Sequence, residues 1–160
     1  MAISVGDKIP STTLKTMADG KMQDVTTDAL FGGKKVVLFA VPGAFTPTCS
    51  MQHLPGYIAK AGEIKGKGVD TIACVSVNDA FVMDAWGQDK GAGSDVQMLA
   101  DGNGDFARAV GLDFDGSGIG FGLRSQRYAM VVENGIVKSL HVEEPMKFEV
   151  SSAEAVLAAL

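Results

Sequence analysis

Six consecutive apolar residues, Val36-Val37-Leu38-Phe39-Ala40-Val41, stop abruptly at Pro42-Gly43. A valine-rich run without polar alternation reads as a β-strand covered on both faces. Such a strand needs a layer of structure on each side, which confines the chain to folds with a sheet in the middle. The run is far shorter than the roughly 20 apolar residues needed to cross a bilayer, so no membrane partner is expected.

The remaining pattern supplies the layers. Val69–Val77 reads as a second buried strand, closed by Asn78-Asp79, and Val96–Leu99 as a third. A helix is predicted from about Thr48 to Lys65, with Leu54, Tyr57, Ile58, Ala61 and Ile64 at helical spacing. Pro55-Gly56 lies inside it and marks a kink or local unwinding. Asp79 is a candidate cap for a helix over Ala80–Gln88, in which Trp86 is read as packing, and Phe106–Leu112 reads as a short helix. Tyr128–Glu133 and Ile136–Val142 flank Asn134-Gly135, the strongest hairpin signal in the chain. Ser151-Ser152-Ala153-Glu154 resembles a capping box that opens a last helix. This order predicts one α/β domain over 1–160, with a mixed central β-sheet flanked by helices. A thioredoxin-like fold fits it, as do other α/β arrangements.

At 160 residues, with 46% hydrophobic and 21% charged, the chain can bury a real core. Its net charge of −5 offers no footprint for nucleic acid, so no nucleic-acid partner is expected. The N-terminus lacks the charged start and apolar stretch of a secretory signal. With two cysteines and no such signal, the expected compartment is reducing, with cytoplasm the default and a mature organellar form equally compatible.

Between the first strand and the helix after it lies Val41-Pro42-Gly43-Ala44-Phe45-Thr46-Pro47-Thr48-Cys49-Ser50. Cys49 falls in the first turn of that helix. Free N–H groups and the helix dipole stabilise negative charge there. A thiol so placed can ionise well below its ordinary value of about 8.5, and the thiolate is the nucleophile. Thr46, three residues earlier, can bring its hydroxyl to the sulfur, accepting a proton from a bound hydroperoxide while donating to the thiolate. Pro42 and Pro47 stiffen the loop, and Phe45 supplies an apolar wall. The bland alternative is a buried core cysteine, a common fate of free cysteine. The Pro-x-x-x-Thr-x-x-Cys spacing argues against it.

In order and spacing, Pro42, Thr46 and Cys49 match the peroxiredoxin signature. The string from Val41 to Ser50, followed by His53-Leu54-Pro55-Gly56-Tyr57, is similar to type II peroxiredoxins in particular. So are Ser76-Val77-Asn78-Asp79-Ala80-Phe81-Val82-Met83 and Gly122-Leu123-Arg124-Ser125-Gln126-Arg127-Tyr128-Ala129-Met130. The resemblance runs from Gly6 to Ala153. It implies a thioredoxin-like fold and reduction of hydrogen peroxide and organic hydroperoxides through a sulfenic acid on Cys49. It also implies an arginine beside the thiolate at Arg127, a second, structural or dimer-surface arginine at Arg124, and Phe121 beside Phe45 in the substrate wall. No cofactor and no metal are implied. The partners implied are a thiol reductant (glutaredoxin with glutathione, or thioredoxin) and a second copy in a homodimer.

Cys74 has two readings, a small core residue or a resolving cysteine, since some plant-like members carry a second cysteine there. The animal-type resolving position near the C-terminus corresponds to Phe148-Glu149-Val150-Ser151, which has no cysteine. A mid-strand Cys74 is expected out of disulfide range of Cys49, leaving an external thiol to resolve the sulfenic acid. His53 and His141 could suggest a cysteine hydrolase, but capping or surface contact is the expected use of both. Two histidines and two separated cysteines make a poor zinc site, and the absence of Cys-x-x-Cys argues against a dithiol oxidoreductase. The acidic stretches starting at Asp101 and Asp113 have Leu112 and Arg124 at their twelfth positions, which rules out calcium loops. The glycine cluster Gly116–Gly122 reads as a mobile loop. A redox-sensing or chaperone-like role using the same cysteine remains the non-enzymatic alternative.

Overall fold

The computed structural model describes residues 1–160. In chain order the elements are β1 (Thr13–Ala18), β2 (Lys21–Thr26), α1 (Thr27–Phe31), β3 (Lys35–Ala40), a π-helical turn (Cys49–His53) running into α2 (Leu54–Lys65), β4 (Thr71–Ser76) and α3 (Ala80–Lys90). After these come β5 (Gln97–Ala100), α4 (Asp105–Ala109), β6 (Asp113–Asp115), β7 (Leu123–Ser125), β8 (Tyr128–Glu133), β9 (Ile136–Val142) and α5 (Ala153–Ala159). Seven strands form one mixed sheet in the order β2-β1-β5-β4-β3-β8-β9, while β6 and β7 pair as a separate ribbon.

The central strand β3 is buried as its sequence requires. Every residue from Val36 to Val41 is solvent-inaccessible. Val37, Phe39 and Val41 join the core on one face, with Leu54, Tyr57 and Ile64 of α2, Met83 and Trp86 of α3, and Val156 of α5. Val36, Leu38 and Ala40 join the core on the other, with Phe31 of α1 and Phe106 of α4. Side chains alternate across a strand, so this one run serves both cores. Phe39 stacks on Tyr57 with ring centroids 4.0 Å apart, which fixes α2 over the centre of the sheet.

Two register facts carry the site. β3 runs parallel to β4, pairing Phe39 with Cys74, and antiparallel to β8, pairing Ala40 with Tyr128. The end at which β3 exits toward Pro42 therefore lies beside the start of β8, immediately after Arg127.

Several expectations need correction. The β1–β2 hairpin and α1 have no counterpart in the sequence reading, although the hairpin turns on Asp19-Gly20, both at positive φ (52° and 74°), like Asn134-Gly135 (49° and 79°). β2 is almost wholly exposed, so it lacks the apolar pattern that marks a strand. The expected helix over Phe106–Leu112 is shorter, Asp105–Ala109. Rather than a mobile loop, Gly116–Gly122 is the closed end of the β6–β7 ribbon, with Gly116 and Gly122 joined N–H to carbonyl at 2.6 Å. The last helix is capped by Ser152, whose hydroxyl accepts from the Ala155 N–H at 3.1 Å, one residue later than the capping-box pattern places it. Ser151 is turned inward to other work.

Candidate active site

Pro47 and Thr48 already have helical backbone, and Pro47 opens the helix where its missing N–H costs nothing. The Ser50 N–H donates to the Thr46 carbonyl at 2.9 Å. From Cys49 to His53 the coil widens to a π turn, in which the Leu54 N–H reaches the Cys49 carbonyl five residues back. Pro55 gives the physical reason. In a regular α-helix its ring would press on the carbonyl four residues earlier and leave an acceptor unpaired, and a π bulge absorbs both problems. The irregularity expected around Pro55-Gly56 thus takes this form, and it sits directly on Cys49.

The loop before the helix is held from three sides. Arg124 donates from Nη1 to the Pro42 carbonyl at 3.2 Å and from Nε to the Phe121 carbonyl at 3.0 Å. Its guanidinium lies 5.0 Å from the Phe121 ring centroid. A Cβ on Gly43 would stand 2.7 Å from Arg124 Nη1, so only glycine admits this approach. Asn78 accepts from the Ala44 N–H at 3.0 Å. Phe45 adopts φ 64°, a strained value for a bulky residue, which leaves it half exposed with its ring 6.4 Å from that of Trp86. The Trp86 indole N–H donates to the Ser50 hydroxyl at 2.8 Å, so Trp86 fixes the helix start as well as packing.

Arg127 reaches the sulfur. Its Nη2 donates to Cys49 Sγ at 3.0 Å, across 78 residues of sequence. Its Nη1 donates to His53 Nδ1 at 2.8 Å. A guanidinium has no acceptor, so Nδ1 must carry the lone pair and Nε2 the proton. That Nε2–H donates to the Ser151 carbonyl at 3.0 Å. His53 is neutral: burial foremost, then the Arg127 charge, lower its pKa from 6.5 to about 3, against a smaller opposing pull from the Ser151 carbonyl. Phe148 closes over both, 4.9 Å from the His53 ring and 5.8 Å from the guanidinium.

His53 is therefore no capping or surface residue. It is wholly buried and belongs to the site. Both ring nitrogens are engaged away from Cys49, which leaves it no means of acting as the base of a cysteine hydrolase. Sequence reasoning put His53 one helical turn from Cys49 but had no signal for its bond to Arg127. His141 lies on β9 opposite Ala129 and makes no hydrogen bond to Cys49, His53 or Arg127.

Thr46 also differs in detail from expectation. Its hydroxyl donates to the Gly43 carbonyl at 2.7 Å, so its hydrogen is committed and its lone pairs are what it offers a ligand. Cys74 is fully buried in mid-strand β4, on the same face of the sheet and in the same core as Cys49. Burial pushes its thiol well up, and the Cys49 charge adds to that. Both cysteines are free thiols. No helix is long and apolar enough to cross a membrane.

The chain as a whole is similar to known proteins. Residues 4–157 match the family model described as Redoxin. The chain is 52% identical to peroxiredoxin-2E, chloroplastic, of Arabidopsis thaliana, over 99% of this chain and 70% of that protein. Reduced Prx3 of Vibrio vulnificus in complex with hydrogen peroxide superposes with a TM-score of 0.95 at 57% identity, covering 98% of each chain. Peroxiredoxin 5 from Alvinella pompejana follows at 0.85 and 36%, covering 98% of this chain and 97% of its own.

Proposed function

Since this chain belongs to the redoxin family, as a peroxiredoxin of thioredoxin-like fold and a thiol-dependent peroxidase, we propose that Cys49 is its peroxidatic residue, with Arg127 and Thr46 completing the site. The observation that carries this is the 3.0 Å contact from Arg127 Nη2 to Cys49 Sγ at the start of a helix.

The Cys49 thiolate attacks the nearer oxygen of the hydroperoxide. The S–O bond forms as the O–O bond breaks, and the departing oxygen leaves as water or an alcohol once protonated. Cys49 is left as sulfenic acid. Arg127 is always charged, and its forked donors can hold the thiolate and stabilise charge spreading onto the peroxide oxygens. Thr46, with its hydrogen committed to Gly43, accepts from the peroxide O–H and so aligns the O–O bond with the sulfur. Pro42 acts through its carbonyl, the point at which Arg124 holds the loop. Phe45, on the exposed side, and Phe121, beneath Arg124, are the apolar walls of the approach.

An external thiol resolves the sulfenic acid: its sulfur joins Cys49, water leaves, and a second thiol frees Cys49 by exchange. Glutathione with glutaredoxin is the first expectation, and thioredoxin the second. The support is the burial of Cys74 in mid-strand with its thiol held protonated. A homodimer in the cytoplasm is the proposed setting, although the Arabidopsis relative is named chloroplastic. The test is peroxide consumption with each reductant, comparing wild type, Cys49→Ser and Cys74→Ser. Cys49→Ser should fold and show no turnover, and substantial residual turnover would overturn the assignment. Steady-state turnover also separates an enzyme from a redox sensor or chaperone, a role its relatives do not favour.

A further inference from the structure

Beyond Cys49 and Arg127, a closed ring of hydrogen bonds ties the site to the segment after β9. Glu143 holds Arg127 from behind, since its backbone N–H donates to the Arg127 carbonyl at 3.0 Å. Its carboxylate Oε2 accepts from the N–H groups of Glu149 (2.8 Å), Val150 (2.9 Å) and Ser151 (2.8 Å) and from the Ser151 hydroxyl (2.7 Å). The Ser151 carbonyl, thereby fixed, accepts from His53 Nε2 and from the Tyr57 hydroxyl at 2.8 Å. His53 Nδ1 then accepts from Arg127 Nη1, which returns the ring to Arg127.

We propose that Glu143 is a positioning residue for the Cys49–Arg127 pair, acting through Ser151 and His53 to hold the guanidinium in register with the sulfur. The proposal rests on the assignment of Cys49 and Arg127 made above. Residues 144–147, 149 and 150 are exposed and only Phe148 is half-buried, so apolar burial does little to hold the segment in place. Glu143 and Ser151, by contrast, are buried. One carboxylate oxygen thus gathers all four N–H and O–H donors that residues 149–151 offer. Without it, the Ser151 carbonyl is held only by the Tyr57 hydroxyl and His53 itself and can shift. The His53 ring is then free to rotate or change tautomer, and an Nδ1 that carries a proton repels Arg127 instead of accepting from it.

Glu143→Ala, Glu143→Gln, His53→Gln and the Glu143→Ala/His53→Gln double variant test this. Two quantities are read on reduced protein: the thiolate fraction of Cys49 at neutral pH, from its ultraviolet absorbance, and the single-turnover rate with hydrogen peroxide, from Trp86 fluorescence. Glu143→Ala should lower the thiolate fraction and slow the reaction about tenfold, the order expected when a charged donor is slightly misplaced. Glu143→Gln, which keeps one acceptor oxygen, should lose about threefold with the same sense of change in the thiolate. The double variant should be no slower than the slower single, since both act through one contact. An unchanged thiolate fraction and rate in Glu143→Ala, or losses that multiply in the double variant, would overturn the proposal. If Glu143→Ala does not fold, Glu143→Gln decides alone, with no change in either quantity counting against it. The thiolate measurement uses no peroxide, so failure of the wild type to react would refute the role of Cys49 while still deciding that of Glu143.

Discussion

Replacing Arg127 by glutamine removes the charge that donates to the Cys49 sulfur while keeping a side chain of similar reach. At the observed 3.0 Å between Nη2 and Sγ, two unit charges attract by roughly 5 kcal/mol at the effective dielectric of about 20 that suits protein sites. The glutamine amide and entering water recover part of this, since a neutral donor is roughly half as strong as a charged one. What remains is about 3 kcal/mol, at the lower end of the 10²–10³-fold cost of deleting one preorganised donor to developing charge. Arg127→Gln should therefore slow single-turnover reduction of hydrogen peroxide by about 10²–10³-fold. It should also shift the onset of Cys49 thiolate absorbance to higher pH than in the wild type. The two readouts separate the roles: raising pH restores rate to the extent that Arg127 serves the thiolate, and leaves the remainder that serves the transition state. A variant with an unchanged titration and an unchanged rate constant would show that the 3.0 Å contact contributes nothing in solution and would refute the reasoning.

Cys74 should be inert in the folded protein, because burial disfavours its thiolate and no side chain donates to its sulfur, whereas the equally buried Cys49 accepts from Arg127. Alkylation of the reduced native protein should label Cys49 and spare Cys74 until denaturant is added, and equal labelling without denaturant would contradict this. The neutral, buried His53 makes stability sensitive to acid. Its folded pKa of about 3 lies below the unfolded 6.5, so the unfolded chain gains a proton first and stability falls as pH drops below 6.5. Between that pH and about 4.5 the loss is on the order of 2–3 kcal/mol, or about 5–10 °C in Tm. Glu143, held below the usual carboxylate range by bonds from Ser151, Glu149 and Val150 that outweigh its burial, adds a loss of the same sign at lower pH. His53→Gln should flatten the Tm profile between pH 6.5 and 4.5, and an equally steep profile in that variant would rule His53 out as the cause.

What the chain's local order determined is the part whose physics is local. Val36–Val41 is apolar without alternation, so it had to be covered on both faces, and it is. Pro42, Pro47 and the residues between them are a few peptide units from Cys49, so their spacing alone places the thiol at a helix start. Asn134-Gly135 dictates its hairpin because positive φ at two successive residues leaves few other paths. The edge strand β2 and its neighbour β1 were not legible this way, since Leu14 is the one buried residue of the two and writes no pattern into the sequence.

Only the tertiary structure decided which groups meet the sulfur. Arg127 is 78 residues from Cys49, and it arrives because β8 runs antiparallel to β3 in the register that pairs Ala40 with Tyr128. A shift by one residue would turn every side chain of β8 to the other face. His53 is close to Cys49 in sequence, yet its partners are Arg127, 74 residues away, and Ser151, 98 residues away. A histidine's role is set by what occupies its two nitrogens, and here both partners come from segments that only the closed fold brings to α2.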